Sequence, residues 1–218
     1  MKGLFVKDFK LMNNQKRFFF VIVFIAAAMM VTMDDASFII GYLTFIGSLF
    51  AISTISYDEF DNGNAFLFTL PISRKKYVWE KYLFGIVTGG VVWIFSSIVV
   101  FTYQIVAGNN LDIMEWCCSA VIILLLSCMI LAIMIPIQLK FGSEKGRIAI
   151  IGIFGSVFVI GFLLVKAAKA LRIDYMKLIN MAATQSLGLI MGTSAVVCFV
   201  ALAISIVMSV NIMEKKEL

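Results

Sequence analysis

Histidine is missing from all 218 residues. Without it there is no Ser-His-Asp or Cys-His catalysis, no zinc-histidine site and no imidazole general base. Charge is scarce too. Only 14% of residues are Asp, Glu, Lys or Arg, against roughly 25% in soluble domains, which need them to cover their surface. The four cysteines, Cys117, Cys118, Cys128 and Cys198, form no CxxC pair. They read as small apolar residues, and neither a disulfide framework nor a metal site is expected. No GxxxxGK[ST] loop is present, so the chain is not expected to hydrolyse ATP alone. No acid or base falls mid-span in the assignment below. Proton- and ion-coupled carriers need such groups to bind and release charge inside the membrane, so transport by this chain requires an outside source of energy.

What is present is apolar and comes in long runs. Hydrophobic residues make up 62% of the chain and its mean hydropathy is +1.03. A soluble fold carrying such runs would expose large apolar patches, whereas a bilayer needs about 20 apolar residues per helix. The expected fold is all-α: one polytopic transmembrane domain over 1–218, with six spans at about 18–33, 36–57, 82–106, 116–139, 148–165 and 182–210. Residues 1–17 form an amphipathic interfacial helix with Leu4, Phe5, Phe9 and Met12 on one face. No small-residue cleavage site follows the first apolar run, which reads as a retained span. Lys140 to Arg147 reads as a short charged loop, and Lys166 to Asn180 as a polar amphipathic segment.

Charge orients the spans. With the N-terminus inside, the cytoplasmic segments hold 14 of the 18 Lys and Arg, including Lys2, Lys7, Arg17, Arg74, Lys81, Lys140 and Lys216. The outer turns hold Asp34, Asp35, Asp112 and Glu115 with no base. That positive-inside bias places both termini in the cytoplasm. Lys166, Lys169, Arg172 and Lys177 dissent, and they read as an outer segment lying against lipid. Inside the spans, hydroxyls such as Thr54, Ser56, Ser205 and Ser209 read as helix-helix glue. Gly85 with Gly89, and Gly188 with Gly192, form GxxxG pairs that allow close helix packing.

The most informative stretch is 58–81. Acids come first (Asp58, Glu59, Asp61), then an apolar cluster (Phe66, Leu67, Phe68, Leu70), then Pro71, then Arg74, Lys75 and Lys76. Acids at a helix start and bases beyond its end suit the helix dipole. Pro71 forces a turn, and Ser73 reads as the N-cap of a helix carrying Tyr77, Trp79 and Lys81 into the third span. The product is a short helix with a greasy face of Phe60, Phe66, Leu67 and Leu70, held close to the membrane. It either docks a partner or lies on lipid.

This pattern resembles the permease subunits of type-2 ABC exporters. The matching residues are Asp58, Glu59, Gly63, Leu67, Leu70, Pro71, Ile72, Ser73, Arg74, Tyr77 and Lys81, set in a six-span layout. It is most similar to the compact lineage of Gram-positive bacteria, which includes peptide and bacteriocin-type exporters. One departure is Gly63-Asn64 where many members have Gly-Thr. The resemblance implies that 58–81 is a coupling segment seated on a separate ATPase subunit. Glu59, Phe66, Leu67 and Leu70 would touch that subunit, Pro71 would turn the chain, and Arg74 would brace the turn. It further implies a bacterial plasma membrane location and a second permease copy or sister permease. ATP and Mg would sit on the partner ATPase dimer and no cofactor on this chain. Membrane lipid is an expected partner and nucleic acid is not. The spans favour an amphipathic cargo, with peptide, lipid, antibiotic and sodium all open, and the resemblance adds an amphipathic peptide as one candidate. The alternatives are a non-transporting immunity or sensor subunit, and an intramembrane enzyme, for which no nucleophile-base pair is found.

Overall fold

The computed structural model describes residues 2–32, 36–60, 63–108, 112–170 and 187–216. Every regular element among them is an α-helix: α1 (Lys2–Asn14), α2 (Lys16–Thr32), α3 (Ser37–Glu59), α4 (Gly63–Leu67), α5 (Arg74–Val106), α6 (Ile113–Ala170) and α7 (Leu187–Lys215). Four helices among the described residues are long and apolar enough to cross a membrane: Ser37–Glu59, Arg74–Val106, Ile113–Ser143 and Gly188–Lys215. The pair α1 and α2, bent by 63° at Gln15, makes a fifth if it is taken as one span. The six spans expected from the hydropathy runs are therefore met by four or five. Residues 148–165 lie in the second of the two helices that meet at Gly142 within α6, with Ile148, Ile151, Phe158 and Phe162 exposed. The expected loop at 140–147 is also helix. It is broken at Gly142 alone (φ 75°, ψ −177°), a left-handed conformation that a side chain would strain. Charge alone does not end a helix; a backbone break does. Of the basic segment at 166–177, only residues up to Ala170 lie within the described residues.

α3 is the central helix and packs most extensively on α5, then on α6, while α7 packs mainly on α6. Lipid tails are as apolar as leucine, so close packing and interhelical hydrogen bonds must hold such a bundle. Small residues provide the first. A methyl group on Gly85 would meet Leu131 and Ala51 at 3.0–3.2 Å, and one on Gly89 would collide with Ser48. This GxxxG pair thus works inside the chain, whereas a methyl group on Gly188 or Gly192 would meet no other helix within 4 Å among the described residues. Hydrogen bonds provide the second. Thr88 Oγ1 donates to Gly47 O (3.1 Å), Trp93 Nε1 to Ala120 O (2.8 Å) and Gln138 Nε2 to Ser56 Oγ (3.0 Å). Pro136 has no N–H and so leaves the carbonyl of Ala132 unpaired within α6. Ser205 of α7 donates to that carbonyl, and the Tyr82 hydroxyl of α5 sits 2.5 Å from Ser205 and 2.8 Å from Ser209. One proline thereby ties three helices together.

The main core lies at the Lys81 end of the bundle: Leu4, Phe50, Ile55, Leu67, Tyr77, Phe84, Ile135, Leu139 and Met213 are all buried there. A smaller cluster around Ala26, Ala36, Ile40 and Val100 occupies the other end.

Candidate functional site

The 58–81 segment links the end of α3 to the start of α5. Phe60 leaves α3 in an extended conformation (ψ 138°). α4 follows and packs back at once, with the Gly63 Cα so near the α3 terminus that a Cβ would lie 2.8 Å from the Asp58 carbonyl oxygen. Any side chain would strike backbone there, which is why glycine opens the turn. The chain then tightens through Phe68 N–H to Asn64 O (3.1 Å), Thr69 N–H to Phe66 O (3.1 Å) and Ile72 N–H to Leu70 O (2.6 Å). After Pro71, Ser73 takes an extended conformation (ψ 145°) and its hydroxyl accepts from Lys76 N–H at 3.3 Å. It is the N-cap of α5, and α5 runs without interruption from Arg74 to Val106.

The apolar residues of the segment divide between two faces. Phe60 and Phe66 are each 72% exposed and Leu70 is 45% exposed. Leu67 turns inward and joins the core beside Tyr77. Phe68 also turns in, edge-on to Tyr77 (5.6 Å between centroids) and beneath the Arg74 guanidinium (5.9 Å). The outward face is therefore Phe60, Phe66 and Leu70, while Leu67 anchors the segment from behind.

Two electrostatic anchors hold the ends of the segment. The first joins it to α1. Lys81 Nζ, fully buried, lies 2.5 Å from Asp8 Oδ2, 2.8 Å from Asp58 Oδ2 and 3.0 Å from Thr54 Oγ1. Lys7 donates to Asp58 Oδ1 and lies 3.3 Å from Asp8 Oδ1. The Tyr77 hydroxyl donates to Asp58 Oδ2 at 3.1 Å. Glu80 is buried beside them, 3.8 Å from Lys81 and within reach of Asp8. Asp58 opens the segment, Lys81 closes it, and Asp8 and Lys7 belong to α1. Desolvating these ions costs several kcal/mol each, which the mutual attraction repays only while the set is complete.

The second anchor joins the segment to the end of α7. Arg74 Nη1 donates to the carbonyls of Met213 (3.0 Å) and Glu214 (2.7 Å), groups that a helix C-terminus leaves unpaired. Lys75 lies 3.5 Å from Glu214. Lys216 Nζ donates to Glu59 Oε1 (2.7 Å) and to Leu139 O (3.2 Å), so it touches both α3 and α6. The other Glu59 oxygen faces Gly142, 3.3 Å from where a Cβ would stand.

Glu59, Phe66, Leu67, Leu70, Pro71 and Arg74 thus share one end of the bundle. Arg74 braces the C-terminal helix as well as the turn. Asp8 was not singled out from the sequence, Lys7 and Lys216 entered only as cytoplasmic bases, and Thr54 only as helix-helix glue. Asp8 had a signal: it lies one turn after Leu4 and one before Met12, on the same helical face, and Leu4 and Asp8 are the two buried residues of α1. Phe9, expected on that face, is 59% exposed.

A family model described as ABC-2 family transporter protein matches residues 3–214. No curated protein and no solved structure matches the chain.

Proposed function

The chain belongs to the ABC-2 family of transporter proteins, which makes it a membrane permease component of an ABC transporter, and from that premise we propose that it is an exporter subunit driven through the 58–81 segment. In this reading the Lys81 end of the bundle faces the cytoplasm. Phe60, Phe66 and Leu70 enter a groove on a separate ATPase, with ATP and Mg bound there. Closure of the ATPase pair pushes on the segment. The anchors then pass the displacement to α1 through Asp58 and Lys81, and to α7 through Glu59 and Arg74. The complete unit contains two permease chains, identical or sister. The cargo class is an amphipathic peptide, consistent with spans rich in hydroxyls and poor in charge.

The observation that carries this reading is the pairing of an exposed aromatic face with two fixed ends. Exposed aromatic anchors are what small docking interfaces use. A segment tied at one end only would swing under load, whereas one tied at both displaces the helices it is tied to. The test is to purify the chain in mild detergent with co-expressed candidate ABC ATPases and measure ATPase stimulation by cargo candidates. A stable complex whose hydrolysis rate responds to the permease supports coupling. A chain that binds no ATPase refutes it.

A further inference from the structure

A second feature lies away from the coupling segment, in a groove between α6 and α7. Met129, Ala132, Ile133, Pro136 and Ile137 line one wall, and Ala201, Ile204, Met208 and Ile212 the other, around a cavity of about 460 Å³. The only hydroxyl in the lining, Ser205, is already committed to Ala132 O and Tyr82. Apart from Lys140 at its end, the groove therefore offers no free polar side chain to a cargo. At its end the α6 stripe finishes in Lys140, which lines the cavity and is exposed. From Met129 to Lys140 the stripe rises about 16 Å at 1.5 Å per residue. That is about half of the ~30 Å hydrocarbon thickness, the depth of one leaflet. Lys140 stands beside Leu139, whose carbonyl Lys216 holds, at the same end as the coupling segment.

We infer that this groove holds one acyl chain of an anionic phospholipid of the inner leaflet, with Lys140 pairing with its phosphate. The side of the membrane rests on the orientation proposed above; the groove, its length and its cation do not. A zwitterionic lipid would fill the apolar slot but gain little from Lys140, so charge selectivity is the signature.

The experiment uses phosphatidylglycerol and phosphatidylcholine carrying a diazirine in the acyl chain, photolysed with the full chain in nanodiscs and mapped by mass spectrometry. Expected is labelling of 129–141 and 201–212 by phosphatidylglycerol. It should fall about five-fold in Lys140→Gln, the size of effect one basic residue exerts near an anionic surface, and recover in Lys140→Arg. Ile133→Trp, at a 41% exposed position, should block labelling without unfolding the chain. Equal labelling by the two lipids, or labelling indifferent to both variants, overturns the proposal. So does protection of these peptides by a second copy of the chain. None of these outcomes depends on ATPase binding, so failure here is distinguishable from failure of the coupling reading.

Discussion

The two anchors of the 58–81 segment both pair acids with bases and differ in their access to water. At the α1 anchor, Lys81 and Asp8 are fully buried and Asp58 is nearly so. At the α7 anchor, Lys75 is mostly and Glu214 nearly half exposed, and Lys216 with Glu59 falls between. A buried pair is costly to break because the surviving ion cannot rehydrate. An exposed pair gains little in forming and loses little in breaking. The α1 anchor is therefore a rigid joint, and the α7 anchor a looser one held mainly by the backbone bonds from Arg74.

The largest effect should come from breaking the rigid joint. Lys81→Met leaves Asp8 and Asp58 with only the part-exposed Lys7 as counter-ion, and a loss of about 3–5 kcal/mol is expected, read as a collapse of the unfolding midpoint in detergent. Adding Asp8→Asn and Asp58→Asn should recover part of it, because the two buried carboxylates that faced Lys81 no longer carry charge, while Lys7 is exposed enough to rehydrate. No recovery would mean that the lysine acts through packing alone. Next, Arg74→Ala removes two hydrogen bonds from a charged donor, with an expected loss of about 1.5–3 kcal/mol. Its sign in function is sharper: cargo-stimulated hydrolysis should fall while ATPase binding persists. Smallest is Lys75→Ala, expected within about 0.5 kcal/mol of wild type and erased by 0.5 M salt, since exposed pairs are screened. If Lys75→Ala cost as much as Lys81→Met, the contrast between the joints would be void.

Much of this end of the molecule was legible in the sequence. Pro71, the Ser73 cap and the acid-to-base order placed a turn and a new helix start where they are found, because those signals are local. The division of the apolar cluster was less accessible. Leu67 and Phe66 are neighbours with the same chemistry, and only the packing of α4 against Tyr77 decides which one turns inward. The α1 anchor was hidden for a similar reason. Asp8 and Lys81 are 73 positions apart, and nothing near either one names its partner, although an acid on the Leu4 face of α1 was a visible anomaly. The break at Gly142 was masked by the charges around it, which suggested a loop where a single left-handed residue suffices.

The central claim is that the face of Phe60, Phe66 and Leu70 is what the ATPase grips. The direct measurement is the dissociation constant between the detergent-solubilised chain and its ATPase for wild type, for Phe66→Asp with Leu70→Asp, and for a Lys75→Ala control, each with its unfolding midpoint. Both substituted positions of the double variant are exposed, so its midpoint should stay near wild type while affinity falls at least tenfold, the scale of a hot-spot residue. Wild-type affinity in a folded double variant would contradict the account.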